Sequence, residues 1–301
     1  MSVLVAVDFS KHSHNALRLA AHLARERQVP LVAVHCVASA DEDAFWRHLV
    51  QTPWEVPDQI RRVAKARLVK TVDETLDADQ RPDQVEYLVE LDSAADGIIA
   101  AAERSDADIV IVGAIGGGRI KKAMLGGTAE RVIRTSPVPI LAVAPDAPTE
   151  GFETILAPVD LSESSRRSLE TAVEMAREEN ARLLIMHSFV LPTASLALLD
   201  LQPPAETVNT LESQKWSQLD EFVDAVDLEG VDHDELMRIG PAADAIESVV
   251  DEKGVDLICM GTHGRSGFQR VVLGSVATRV LRRMPSSVLA VPMRKSASTE
   301  E

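Results

Sequence analysis

Cysteine is scarce in this chain, with two residues among 301, Cys36 and Cys259. Both sit in apolar runs, so they are expected as buried thiols rather than as a disulfide. Long apolar runs are also missing. None approaches the roughly 18 residues that a membrane helix needs, and no span is expected. Ser2 to Val7 already reads as a strand that Asp8 interrupts, which leaves no room for a secretory signal and makes the cytoplasm the expected address. Positive charge is in deficit. The chain has 31 Lys and Arg against 47 Asp and Glu, a formal net charge of −16. That balance argues against nucleic-acid or acidic-membrane partners, and any anionic ligand would need a local positive field. No GxxxxGK[ST] occurs, which excludes a P-loop. No GxGxxG lies between a strand and a helix with a suitable acidic residue after it, which argues against a dinucleotide site.

What is present is an α/β alternation, written twice. The apolar fraction is 46% and the charged fraction 26%, an ordinary balance for a globular chain long enough for two cores. Val3 to Val7 reads as a buried strand. Ser10 and Ser13 are candidate caps for the helix after it, whose stripe is Ala16, Leu17, Leu19, Ala20, Leu23 and Ala24. Strands follow at Leu31 to Val37, Gln84 to Leu91, Ala107 to Val112 and Val138 to Val143, with helices between them. His35 reads as a core or strand-end histidine, with no second ligand at metal spacing. Trp46 and Trp54 fall in an irregular segment and could cover a sheet end or a partner surface. After a Pro-rich linker the order repeats from Thr154 to Val291, with His187 in the place of His35. Gly113, Gly116 and Gly126 recur as Gly261, Gly264 and Gly274, each 148 residues further on.

The second glycine set carries the chemistry. Val255 to Met260 is a strand, the Gly261 to Gly267 loop leaves it, and Gly274-Ser275 opens a helix. Glycines let the backbone approach a ligand, and the free N–H groups of the helix's first turn attract an anion. Ser275 adds a hydroxyl, and Arg265 or Arg270 could add a charge. Gly261, two residues, Gly264, nine residues, then Gly274-Ser275 resembles the nucleotide-binding pattern of the universal stress protein family. Pro158-Val159-Asp160-Leu161-Ser162 matches that family's opening strand and loop.

The resemblance covers nearly the whole chain, in tandem form. It implies an adenine-nucleotide alpha-hydrolase-like, Rossmann-like α/β fold: two tandem open parallel five-stranded sheets with helices on both faces. The expected domains are 1–145 and 154–294, joined by a linker at 146–153 and followed by a disordered tail at 295–301. It also implies ATP or AMP as ligand, with Mg2+ as the ion that ATP can bring. Val159 and Asp160 would lie on the adenine and ribose side, with Phe189 closing over the base; Asp160 could also simply cap the helix that begins near Glu163, and the two roles are compatible. Gly261 and Gly264 would lie near the ribose and α-phosphate, and Gly274 and Ser275 at the outer phosphates. His263 and Arg265 sit inside the loop, where Arg265 could add a charge and His263 could contact phosphate or equally fold over the sheet end.

A weaker second site is expected in the first half, at Asp8, Gly113, Gly116, Gly126 and Gly127. There Gly127 replaces Ser275 and Gly117 replaces Arg265. Thr128 is one residue off, and a helix turns about 100° per residue, which would aim its hydroxyl elsewhere. No general base is evident for the γ-phosphate and no carboxylate pair for two metals, so a sensor with at most slow ATP hydrolysis is expected. Two alternatives stay open. One is an enzyme of this fold class, such as a nucleotidyl transferase or ATP pyrophosphatase, although no SGGxDS-like loop or HIGH-like pair occurs. The other is a scaffold that binds no nucleotide. The two halves are expected to pack together about a pseudo-twofold axis through their apolar final strands, Ile140 to Val143 and Val288 to Val291. A homodimer of the whole chain is also compatible with this plan.

Overall fold

The computed structural model describes residues 1–37, 55–115, 125–191, 204–262 and 273–293. Trp46, Trp54 and the tail 295–301 lie outside them. The chain divides into two compact units, one made of residues 1–151 with the segment from Leu281 onward, the other of Phe152–Val280.

In the first unit the order is β1 (Ser2–Ala6), α1 (Lys11–Glu26), β2 (Leu31–Cys36), α2 (Glu55–Thr75), β3 (Val85–Glu90), α3 (Ala94–Arg104), β4 (Ala107–Gly113), α4 (Gly127–Thr135) and β5 (Ile140–Val143). The central strands read as continuous apolar runs because helices cover both faces of the sheet. Val3, Leu4 and Val5 of β1 are fully buried, each contributing about 1.5–3 kcal/mol of transfer free energy. The expected stripe of α1 is buried from Ala16 to Ala24. Its first turn is closed by Ser10, whose Oγ accepts from the Ser13 N–H at 3.2 Å.

Strand β1 pairs in parallel with β2 on one side and with β4 on the other. The connections therefore diverge at β1, and a crevice opens outside the carboxyl ends of β1 and β4. Glycine matters at one point on that crevice wall. A side chain at Gly113 would meet the His12 backbone at 3.2 Å, so α1 sits close against the end of β4.

The second unit repeats the plan with β6 (Thr154–Val159), α5 (Glu163–Glu179), β7 (Arg182–Phe189), α6 (Ala205–Val223), β8 (His233–Ile239), α7 (Ala242–Lys253) and β9 (Leu257–Gly261). Helix α8 (Ser275–Arg283) and β10 (Ser287–Val291) follow. Strand β6 pairs in parallel with β7 and with β9, so the crevice here lies between β6 and β9. A capping box between Ser162 and Ser165 starts α5, and Asn180 at φ 50° ends it.

One expectation is corrected. The strands do not form two discrete five-stranded sheets. Strand β10, last in the second repeat, pairs antiparallel with β5, Leu289 opposite Leu141, and belongs to the first compact unit. That unit carries the strand order β3-β2-β1-β4-β5-β10, and the second carries β9-β6-β7-β8. The reason is physical. All four residues of β5 are buried, and its outer edge needs hydrogen-bond partners that its own repeat does not supply.

Candidate functional site

Each unit holds a cavity at its crevice. The one in the second unit is about 370 Å³. Its walls are the end of β6 at Pro158, Val159 and Asp160, alternate β7 residues Met186 and Ser188, and Ala242 and Ile246 of α7. Its floor is Met260 and Gly261 of β9 with Gly274, Ser275, Val276 and Ala277 at the start of α8.

The loop after β6 is built by its own hydrogen bonds. Asp160 Oδ1 accepts from the Ser162 N–H at 3.0 Å. Leu161 between them takes φ 64°, a conformation that costs a non-glycine residue about 1 kcal/mol. The first unit builds the same turn. Asp8 Oδ1 accepts from the Ser10 N–H at 2.9 Å, and Phe9 has φ 63°. Both aspartates line their cavities. Ser10 and Ser162 cap α1 and α5, so the first-turn donors of those helices are partly used already.

The helices across the crevice start differently. Gly274 carbonyl accepts from the Thr278 N–H at 2.8 Å, which makes Gly274 the residue before the first turn of α8. In the first unit Gly126 accepts from the Glu130 N–H at 2.9 Å, and α4 has no side-chain cap. A glycine cap offers no oxygen to the first-turn donors, which leaves them for a ligand. Each glycine loop is pinned at its ends in the same way. Gly274 N–H donates to Thr262 carbonyl at 2.8 Å, and Gly126 N–H donates to Ala114 carbonyl at 2.7 Å.

The expected site residues distribute as follows. Val159, Asp160, Gly261, Gly274 and Ser275 come together on one cavity. Phe189 is buried and is not part of that lining; Met186 and Ser188 occupy the strand end instead. His263, Gly264, Arg265 and Arg270 lie outside the described residues, as do Gly116 and Gly117 of the first half. Asp8, Gly113, Gly126 and Gly127 share the first unit's cavity, which is about 260 Å³. Thr128 borders that cavity as well.

Among the described residues no Lys or Arg lines either cavity. The nearby arginines are engaged. Arg279 holds Asp244 at 2.8 Å, and Arg131 holds Asp96 at 2.8 Å in the matching place. Backbone donors and the helix dipole are thus the described sources of positive field. No cluster of three His, Cys, Asp or Glu among the described residues could hold a metal. Neither cysteine is activated. Cys259 is fully buried, Cys36 is half-buried, and burial pushes the Cys36 thiol up to about 12.

Each unit holds a histidine at the carboxyl end of its second strand, bonded to the strand beside it, and His35 also lines the first cavity. His187 Nδ1 lies 2.8 Å from the Val159 carbonyl and His35 Nδ1 lies 2.7 Å from the Val7 carbonyl. A carbonyl only accepts, so Nδ1 carries the hydrogen in both. The Phe9 ring lies 4.2 Å from the His35 ring, tilted by 42°, and the Arg67 guanidinium sits 4.0 Å over the Phe9 ring. Burial holds His35 below the ordinary imidazole value. The Arg67 charge acts the same way, and the Val7 carbonyl and Asp8 oppose it. The unfolded chain therefore takes up this proton at higher pH than the folded chain. Stability should fall as pH drops from about 6.5 through the lowered folded value, then level off. Urea midpoints at pH 7.5 and 5.5 should differ more for the native chain than for His35→Gln. An equal difference in both would reject this role.

A duplicated Rossmann-like α/β plan with cavities at the strands' carboxyl ends defines the class of this protein. The sequence profile of the Universal stress protein family matches residues 1–144 and again 151–292, and the chain belongs to that family. A universal stress protein of Mycolicibacterium smegmatis is 25% identical over 294 residues, covering 97% of both chains. Universal stress protein YxiE of Bacillus subtilis is 31% identical over 146 residues, 46% of this chain and 99% of the relative. A solved universal stress protein from Archaeoglobus fulgidus shares the fold with a TM-score of 0.64 at 20% identity, covering 98% of both chains. Another, a putative universal stress protein from Pseudomonas aeruginosa, has a TM-score of 0.65 at 19% identity, covering 97% of this chain and 93% of its own. Among the described residues no helix is long and apolar enough to cross a membrane.

Proposed function

We propose that the chain binds an adenine nucleotide, ATP or AMP, mainly in the second unit, and works as a stress-response sensor with at most slow ATP hydrolysis. The observation that carries this reading is the start of α8. Gly274 leaves the first turn without a side-chain cap, and Ser275, Val276 and Ala277 all line a cavity whose far wall is Asp160. The helix start suits phosphates, and the carboxylate suits a ribose hydroxyl. The apolar strip from Met186 to Ile246 suits the flat face of a base. Asp160 is the one carboxylate among the described lining residues, too little for general-base and two-metal chemistry together. A Mg2+ ion would arrive on the phosphates of ATP and screen their charge.

Two features favour the second unit: its larger cavity and the hydroxyl of Ser275. Thr128 partly offsets the second of these. Calorimetric titration of nucleotide-free chain with ATP and Mg2+ should give one strong site per chain. Gly127→Ser should strengthen the first unit's site, because nothing lies within 4 Å of a side-chain carbon added there. The gain expected from one new hydroxyl contact is about 1 kcal/mol. Two indistinguishable sites in the native chain would overturn the asymmetry. No binding of ATP or AMP at millimolar concentration would overturn the nucleotide reading.

A further inference from the structure

Both units end in an edge strand, β3 in the first and β8 in the second. An edge strand carries unpaired backbone groups and needs a cover or a charge barrier. The two edges of this chain carry opposite charge. Beside β3 lies a cleft of about 340 Å³ whose floor is Tyr87 to Glu90. Arg61, Arg62 and Lys65 of α2 line it together with Arg104, which pairs with Glu90. The three α2 cations are exposed.

The matching face of the second unit is not basic. Leu68 and Val72 of α2 correspond to Leu219 and Val223 of α6, all buried. On that alignment Glu212, Ser213 and Trp216 stand where Arg61, Arg62 and Lys65 stand. The basic cleft is therefore a departure from the repeat in a chain of net charge −16. The β8 edge carries the opposite sign. Asp220 and Asp224 at the end of α6 are exposed and lie near Glu235 of β8. Burial, with the charge of Asp220 next, holds the Glu235 carboxyl above the ordinary range. This group of carboxylates would gain from an added cation.

We propose that copies of this chain associate head to tail, the basic α2/β3 edge of one copy docking on the acidic α6/β8 edge of the next. The strand directions fit. Antiparallel alignment sets the carboxyl end of β3, Tyr87 to Glu90, against the amino end of β8, His233 to Glu235. The basic and acidic groups lie at those two ends, whereas parallel alignment would separate them. The strands have similar lengths, six and seven residues. The chain already uses one antiparallel strand pairing of this kind, between β5 and β10. A contact between unlike surfaces leaves one basic and one acidic edge on each assembly until it closes into a ring, which fixes no number of copies in advance.

The test is sedimentation velocity over a concentration series with the full chain. The native protein should self-associate as concentration rises, to a dimer or beyond. Arg61→Glu/Arg62→Glu/Lys65→Glu has two acidic edges, and Asp220→Lys/Asp224→Lys gives one chain two basic patches. Each variant alone should associate with a dissociation constant raised about tenfold or more. An equimolar mixture of the two should associate again. The substituted positions are exposed, and unchanged circular dichroism and thermal unfolding establish folding. The second variant lowers the chain's net negative charge, so loss of its self-association is not general repulsion. The proposal fails if the native chain stays a single copy throughout, if either variant associates like the native chain, or if the mixture does not recover. Capture of an acidic peptide or an oligonucleotide by a single-copy native chain would also overturn it, in favour of a foreign partner.

Discussion

Ser275→Asp should weaken nucleotide binding at the second unit's site by about a hundredfold or more and leave the chain folded, with unchanged or slightly higher stability. Ser275 is exposed and is the first residue of α8. A carboxylate in the first turn of a helix interacts well with the dipole and gains about 0.3–1 kcal/mol. It also takes the N–H donors that a phosphate would use and puts a negative charge against the ligand. At 4 Å one such charge pair is worth about 4 kcal/mol at an effective dielectric near 20, before screening by salt and Mg2+. A loss on the order of a hundredfold or more is expected. Ser275→Ala should lose only about 1 kcal/mol, since the backbone donors stay. Titration calorimetry with ATP and Mg2+ reads the affinity, and thermal unfolding without nucleotide reads the stability. Native affinity in Ser275→Asp would place the phosphates elsewhere. A collapse of stability with affinity would mean that Ser275 is structural.

The opposed effects on binding and stability expected at Ser275 show why the site could be found before any coordinates. A glycine before a helix brings no side-chain acceptor to the first turn, and two of them 148 residues apart leave the same donors open in both repeats. Asp8 and Asp160 were legible as strand ends because a carboxylate cannot continue a strand buried on both faces. Their hydrogen bonds to Ser10 and Ser162 were not, because an Asx turn and a helix cap use the same residue types. Parity was the harder matter. In β7 both faces are apolar, so alternation does not say which of Met186, His187, Ser188 and Phe189 meets the cavity. The structure sets Met186 and Ser188 there. Thr128 raises a related point. A rotation of about 100° per residue says how side chains fan out along a helix body. It does not say which residues of a helix start border a cavity, and Thr128 borders the first unit's. The division of strands was illegible for a third reason: a repeat shows where strands are in the chain but not which edges meet.

That last point gives the prediction with the largest effect on stability. Leu289→Ala, near the end of the second repeat, should destabilise the unit that contains the first repeat. Leu289 in β10 stands opposite Leu141 in β5, and both are fully buried. Truncating a buried leucine costs about 2–5 kcal/mol through lost transfer energy and the cavity left behind. Against a typical stability of about 5–15 kcal/mol this is a large share. The loss should be felt in β5, because β10 covers the edge that its own repeat leaves open. Ile140, Leu141 and Ala142 have β10 residues as their register partners, so their amides should exchange faster with solvent. Hydrogen exchange read by mass spectrometry separates this outcome from simple damage near the substitution. Faster exchange in β5 and β4, with β7 and β8 at native rates, is the expected pattern. Exchange confined to β10 would show that β5 is held by its own repeat and that the pairing contributes little. Faster exchange in β7 and β8 alone would mean that Leu289 supports the second unit instead. In the expected case the first repeat depends on the last strand of the chain, and the two repeats cannot be cut apart at the linker without exposing β5.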